Sequence, residues 1–467
     1  MSSSVVRIQN ITINNYRNIK HASISLKGDN DRTSILGLYG QNGTGKTTFI
    51  NAIKILKSAL IGEKIEDTSE NFPTTEYAEF EFEFSIEKDE EECFKVTYNF
   101  KLEAIINEEI NGNLINNNKI FDEVLSYSYT DGLKKIKKNQ IFNTNTDSKT
   151  VFLPTVKYDL LIGKNVDSID MLVKKNMARQ ESKSFIFSND LQEQIEKQKE
   201  KNESNEEFNR IYYLLKRLIT YGHMELFVIS TSNTGYSSIN NLPLLFRKNF
   251  SKGNVVTYRS FLLPIDKMVD IPKAISEETK KIIKSINIVL KNIIPNLQIK
   301  INEYVNLDDE NKSNTVKIQL YAQRGDEVFP LVDESEGIKK IISVLQLLIV
   351  IYNQPNITVA IDELDLGIFE YLLGELLNII AFRGKGQLIF TSHNLRPLER
   401  LDKNSIAFTT SNPNNRIIRL KKARYNKSLR DFYFRSILLG GQDEELYDSA
   451  DYQELAFSFD MAGEDLD

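Results

Sequence analysis

Two rhythms of apolar residues run along the chain, and the places where one gives way to the other mark its elements. Residues 5–26 alternate, apolar at Ile11 and Ile13 and again at Ile24 and Leu26, which predicts two strands joined by a turn. Ile35, Leu36, Leu38 and Tyr39 make a short apolar run that reads as a buried strand, and Ile50, Ile53, Leu56 and Leu60 then recur at helical spacing. The polar stretch Gly62–Thr75 reads as a loop. Tyr77–Ile86, with Phe80, Phe82 and Phe84 on one side, pairs with Val96–Leu102 in a hairpin closed over Asp89–Glu92. Between Ala104 and Asp147 asparagine dominates, and loops separating short strands such as Val124–Tyr129 are expected.

Downstream the helical period takes over. Leu191–Thr220 is expected to be one long helix, polar in its first half and carrying Phe208, Ile211, Leu214, Leu215 and Leu218 in its second. Another should run from Glu277 to Ile293 and stop before Pro295. Strands follow at Leu297–Tyr304, Val316–Ala322 and Val328–Leu331. A helix opened by Glu334 and Ser335 then carries Ile341, Ile342, Leu345 and Leu348. No heptad persists, so long coiled-coil arms are not expected, and no internal repeat is visible.

Bulk properties narrow the class. The 467 residues are enough for two or three domains, or for one core with a large insertion. With 41% hydrophobic and 27% charged residues the composition is that of an ordinary soluble protein. No apolar run reaches the length of about eighteen residues needed to span a membrane, and no secretory leader opens the chain. No membrane partner is therefore expected, and the cytoplasm is the expected compartment. A single cysteine, Cys93, excludes an internal disulfide, and His21, His223 and His393 are too scattered to suggest zinc. The net charge of −6 argues against general affinity for nucleic acid. Only local basic patches remain for a DNA contact: Lys134, Lys135, Lys137 and Lys138, and the run from Arg416 to Arg435.

Against that background one octapeptide stands out. Gly40-Gln41-Asn42-Gly43-Thr44-Gly45-Lys46-Thr47, followed by Thr48, fits the phosphate-binding pattern G-x-x-x-x-G-K-[ST], and it lies between the predicted strand and helix that the pattern requires. Glycines let backbone N–H groups turn toward the phosphates, and the helix N-terminus adds its positive end. Lys46 is expected on the β- and γ-phosphates and the Thr47 hydroxyl on Mg²⁺. The bland alternative is a glycine-rich turn capping a helix. A second run, Ile357–Ile361 followed by Asp362 and Glu363, is an apolar strand ending in two carboxylates, the Walker B pattern. Asp362 would support Mg²⁺ and Glu363 would orient the attacking water.

A third apolar strand, Gln387–Thr391, ends in Ser392 and His393, with His393 expected as a γ-phosphate sensor at the carboxyl end of a parallel strand. Ser335 reads as the N-cap of the helix after Glu334; an ordinary capped helix and an anion site at its N-terminus are both open. Leu438-Leu439-Gly440-Gly441-Gln442 lies on the wrong side of the Walker B strand for a transporter signature and reads as a helix end. From Asp443 to Asp467 ten acids and no base are interleaved with Tyr447, Tyr452, Phe457 and Phe459. That tail is either a docking strip or a solvated terminus lying on the neighbouring basic run.

Together these motifs resemble the ABC-type ATPase heads of the RecF/SMC/OLD group, above all the compact bacterial AAA-15/OLD-like ATPases. The resemblance is carried by Ile11–Lys20, Gly40–Thr47, Ser335–Lys339, Ile361–Glu363 with Leu364-Asp365 as the D-loop, and Thr391–His393. It implies an α/β fold: a P-loop ABC-type head with a mixed sheet and a large α+β insertion between Walker A and the signature. The implied division is an ATPase lobe at 1–100, a variable insertion at 101–296, a second lobe at 297–415 and a basic then acidic tail at 416–467.

It further implies that Gly40, Asn42, Gly43, Gly45, Lys46, Thr47 and Thr48 hold ATP and that Thr47 and Asp362 hold Mg²⁺. Lys46, Glu363 and His393 would carry hydrolysis, while Ser335 and Gly337 would reach the γ-phosphate bound by a second copy in a homo-oligomer, at least a dimer of heads. The residues after His393 are too few for the nuclease domain of OLD proteins. What is left is similar to the stand-alone ATPase subunits of anti-phage systems of PARIS or Septu type, which act with a separately encoded effector such as a nuclease. A RecF-like DNA-maintenance ATPase is the alternative.

Overall fold

The computed structural model describes residues 4–26, 34–65, 77–88, 92–110, 113–131, 134–145, 149–164, 166–230, 241–249, 256–304, 315–420, 429–439, 442–447 and 452–464. Strands that alternate apolar and polar bury one face only, and six of them form an antiparallel sheet. Its order is β2 (Ile19–Ser25), β1 (Val5–Tyr16), β4 (Ala78–Glu87), β5 (Glu92–Ile110), β6 (Asn113–Asp131) and β7 (Lys134–Asn143). The buried face carries Ile11, Ile13, Phe80, Phe82, Phe84 and Tyr98 in one core with α1 (Lys46–Leu60) and α5 (Glu206–Met224).

The second sheet is buried on both faces, which is why its strands read as unbroken apolar runs. Its order is β18 (Ile417–Ile418), β17 (Ile406–Thr409), β3 (Ser34–Tyr39), β16 (Gln387–Thr391), β15 (Thr358–Ile361) and β8 (Leu226–Ile229), parallel throughout except for β18. Alternate residues separate the two cores: Leu36, Leu38, Ala360 and Ile389 join α1. Ile35, Tyr39, Val359, Ile361, Leu388 and Phe390 join α7 (Glu336–Asn353) and α8 (Glu370–Arg383).

A smaller sheet of β11 (Val269–Pro272), β13 (Thr315–Arg324), β12 (Leu297–Tyr304) and β14 (Glu327–Pro330) packs under α6 (Lys273–Ile293) and against Ile342 and Leu345 of α7. A hairpin, β9 (Asn241–Asn249) with β10 (Val256–Pro264), and helices α2 (Thr155–Leu161), α3 (Ser168–Gln180), α4 (Asn189–Lys197), α9 (Pro397–Arg400), α10 (Leu429–Leu439) and α11 (Tyr452–Glu464) complete the fold. Among the described residues no helix is long and apolar enough to cross a membrane. The α/β architecture and mixed strand directions are those expected from the motifs.

Two expectations are corrected. The single helix over Leu191–Thr220 is two, α4 and α5. Asn205 stops it: its side-chain oxygen accepts from Glu207 N and Phe208 N, both at 3.0 Å, so the chain restarts at a strong N-cap rather than running through. The asparagine-rich segment is not mainly loop. β5 and β6 stay paired through it, from Leu102 opposite Ile120 out to Ile110 opposite Asn113, because each strand satisfies the other's backbone and overrides the weak strand preference of asparagine. β5 also crosses residue 100. β8, drawn from the stretch expected to be an insertion, lies in the core sheet beside β15, where Thr358 N donates to Glu225 O at 2.8 Å.

Candidate nucleotide site

β3, β16 and β15 are neighbours and parallel, so their carboxyl ends open on one edge of the sheet, where a ligand crevice forms. The phosphate loop follows β3. Gly40, Gly43 and Gly45 take φ of 148°, 78° and 100°, a region costly for residues with a Cβ. At Gly40 a Cβ would run into the Thr409 hydroxyl. Lys46 Nζ bends back over the loop and donates to Gly40 O at 2.8 Å and Gln41 O at 2.9 Å. Burial pushes the ammonium pKa down, while Asp362, Glu363 and Asp365 pull it up; the cation thus faces three carboxylates across the crevice.

Asp362 is wholly buried and its Oδ1 accepts from the Thr391 hydroxyl at 2.6 Å. The same hydroxyl accepts from Glu363 N at 2.7 Å, so one threonine of β16 aligns both Walker B acids. Glu363, two residues past the end of β15, sits at φ 49°, a left-handed conformation that a glutamate adopts at a cost of about 1–3 kcal/mol. Asp365 Oδ2 accepts from His393 N at 3.0 Å and Asn394 N at 2.9 Å, tying the D-loop to the histidine turn. Asp365→Ala frees that turn and is expected to lower kcat about tenfold with a smaller change in ATP affinity, read by phosphate release and an ATP titration.

Asn18, Asn42, Gly43, Gly45, Lys46, Thr47, Thr48, Asp362, Glu363, Asp365, Thr391 and His393 therefore line one cavity of about 610 Å³, large enough for a nucleoside triphosphate. A family model described as an AAA ATPase domain, AAA_15, matches residues 7–396. The chain belongs to the AAA ATPase domain family. It is an ATPase, in keeping with the ABC-type head expected from its motifs.

Solved structures similar to this AAA ATPase domain include an Smc head with an extended coiled coil bound to the C-terminal domain of ScpA, from Pyrococcus furiosus. It is 12% identical and covers 89% of this chain and 97% of that one, at a TM-score of 0.41. The SMC head domain from Thermotoga maritima is 14% identical, with 89% and 99% covered and a TM-score of 0.35. The recombination mediator RecF with ATP is 13% identical, with 90% and 100% covered and a TM-score of 0.36. At such TM-scores the family assignment rests on the sequence match. No curated protein matches the chain.

The donor set of this ATPase suits Mg²⁺. A hydroxyl (Thr47) and a carboxylate (Asp362) in one crevice are hard oxygen ligands, and among the described residues no cluster of three or more acids, histidines or cysteines forms a metal cage. An ion bound mainly by substrate phosphates and water needs no cage. Bound there, Mg²⁺ would supply charge neutralisation at the phosphates.

Ser335 and Gly337 lie outside this cavity. Ser335 is exposed and caps α7, its hydroxyl accepting from Ile338 N at 3.4 Å. Gly337 packs on the turn that follows the D-loop so closely that a Cβ would stand 2.5 Å from Gly367 O. Lys340, one turn further on, is buried, and Glu363, Asp365 and Asp362 act on its ammonium although burial drives its pKa down.

Sequence reasoning passed over the roles of Thr391, Asn18, Thr409 and Lys340; the first two stood within motifs already singled out. Three arginines of the basic run are engaged within the chain. Arg416 and Arg419 donate to backbone carbonyls, and Arg430 pairs with Glu399 at 2.6 Å, so their charge is used inside the chain. Lys421, Lys422, Arg424 and Lys427 lie outside the described residues. Lys137 and Lys138 are exposed on β7, and residues 453–462 of the acidic helix α11 are all exposed.

Proposed function

We propose that the chain hydrolyses ATP in sites shared between two copies, the phosphate loop of one facing the Ser335 cap of the other. The observation that carries this is the position of Ser335: exposed at a helix N-terminus, yet absent from the cavity built by its own phosphate loop. Backbone N–H groups at such a terminus suit an anion arriving from outside. Leu366, half exposed at the cavity rim, supplies apolar surface at the same face.

In this reading Lys46, with Gly40, Asn42, Gly43, Gly45 and Thr48, holds the phosphates, and Thr47 and Asp362 hold Mg²⁺. Glu363 orients the water for in-line attack, and His393 senses the γ-phosphate. Residues 101–296, apart from β8, form the sensing element. The motif resemblance supports a regulator of a separately encoded effector, such as a nuclease, in prokaryotic anti-phage defence. A RecF-like DNA-maintenance ATPase is the second reading: Arg416, Arg419 and Arg430 are engaged within the chain, whereas Lys137, Lys138 and Arg435 are exposed.

Specific ATPase activity is the test. It should rise with protein concentration and level off as a dimer forms, followed by light scattering in ATP. A rate per chain that is constant on dilution through the monomeric range would overturn the shared-site reading.

A further inference from the structure

The turn between β1 and β2 carries Asn18 to the phosphate loop, and the far end of the chain grips that turn. Asn18 Nδ2 donates to Gly43 O, and Asn18 Oδ1 accepts from the Thr48 hydroxyl at 2.9 Å. One amide therefore bridges the middle of the loop and the first turn of α1. Behind it, Arg416 is 7% exposed and donates through Nε and Nη2 to Asn18 O at 3.0 and 2.6 Å. Its Nη1 donates to Thr410 O at 2.6 Å and Ser411 O at 3.0 Å, and its backbone N to His21 O at 3.0 Å. Thr409 closes the ring: its hydroxyl lies 2.5 Å from that of Thr44 and donates to Tyr39 O at 3.2 Å.

Gly43 is where such a brace matters. It is exposed, with φ 78° and open space where a Cβ would be, so packing does not hold its peptide in place. A trans peptide sets its C=O and the next N–H on opposite sides. Holding the Gly43 carbonyl toward Asn18 therefore turns the Thr44 N–H the other way. We propose that Asn18 is a positioning residue that orients the phosphate loop, and that Arg416 holds it in register, so that the connection from β17 to β18 is a working part of the nucleotide site.

This rests on ATP binding at the loop, and Lys46→Ala serves as the control for it. The full chain is titrated with a fluorescent ATP analogue and Mg²⁺, steady-state rates are measured, and thermal midpoints are taken without nucleotide. Asn18→Ala is expected to weaken binding and raise KM about tenfold with kcat kept within about twofold. Asn18→Asp still accepts from Thr48, but it loses the donor to Gly43 O and adds a negative charge, and should bind more weakly still. Arg416→Lys, which cannot grip one carbonyl through two nitrogens, should raise KM several-fold with kcat kept.

ATP binding by Asn18→Ala at the wild-type level overturns the proposal. If Asn18→Ala does not fold, Arg416→Lys decides: a raised KM supports the brace and an unchanged KM overturns it. If Lys46→Ala binds as the wild type does, the ATP reading of the loop has failed instead.

Discussion

Glu363→Gln is expected to reduce ATP turnover by at least about a hundredfold while ATP still binds, and to accumulate an ATP-bound assembly. The amide matches the carboxylate in size and can still accept one hydrogen bond, but it cannot take a proton from water. Binding should survive, because Lys46, Thr47 and Thr48 are untouched and the Glu363 backbone stays pinned to Thr391 by its own N–H at 2.7 Å. Turnover halts with the triphosphate still in place, so two copies joined across it should persist. Phosphate release measures the first effect and light scattering with and without ATP the second. Full turnover by Glu363→Gln would refute the role given to this glutamate.

Mixing two inactive variants should restore activity. Ser335→Arg places a long cation at the exposed cap of α7 and should abolish hydrolysis across the interface, although its own phosphate loop is intact. Lys46→Ala removes the cation that crosses the loop and should abolish binding at its own site, although its Ser335 is intact. In a mixed pair one site combines the intact loop of the first with the intact cap of the second, while the other site carries both lesions. Equal amounts assembling at random should recover about a quarter of the wild-type rate. A mixture no more active than the sum of its parents would show that Ser335 and the loop act within one chain.

How much was legible beforehand follows from how local each signal is. The phosphate loop, the paired carboxylates and the apolar strands ahead of them were visible because spacing along the chain is itself the constraint. The pair β1 and β2 within residues 5–26, and the end of α6 at Ile293 ahead of Pro295, came from alternation and breakers in the same way, whereas α6 starts at Lys273, four residues before the expected Glu277. The asparagine-rich strands were missed because β5 and β6 owe their pairing to one another rather than to their own residues. The break before α5 was written in Asn205, but a cap and a polar helix residue look alike without the backbone around them.

In the basic run the sequence left something open for a different reason. Counting charges cannot tell an arginine in water from Arg416, whose guanidinium serves three backbone carbonyls. By itself, then, the sequence determined that a phosphate-loop pattern and an apolar strand ending in paired carboxylates are present here, since each is a short pattern carried by adjacent residues. Only the tertiary structure decided that Thr391 aligns the two acids, that Asp365 holds the histidine turn, and that Asn18 and Arg416 brace the loop. Those partners lie up to 398 residues apart, and the packing of one sheet on the other, not sequence order, brings the most distant of them within hydrogen-bonding distance.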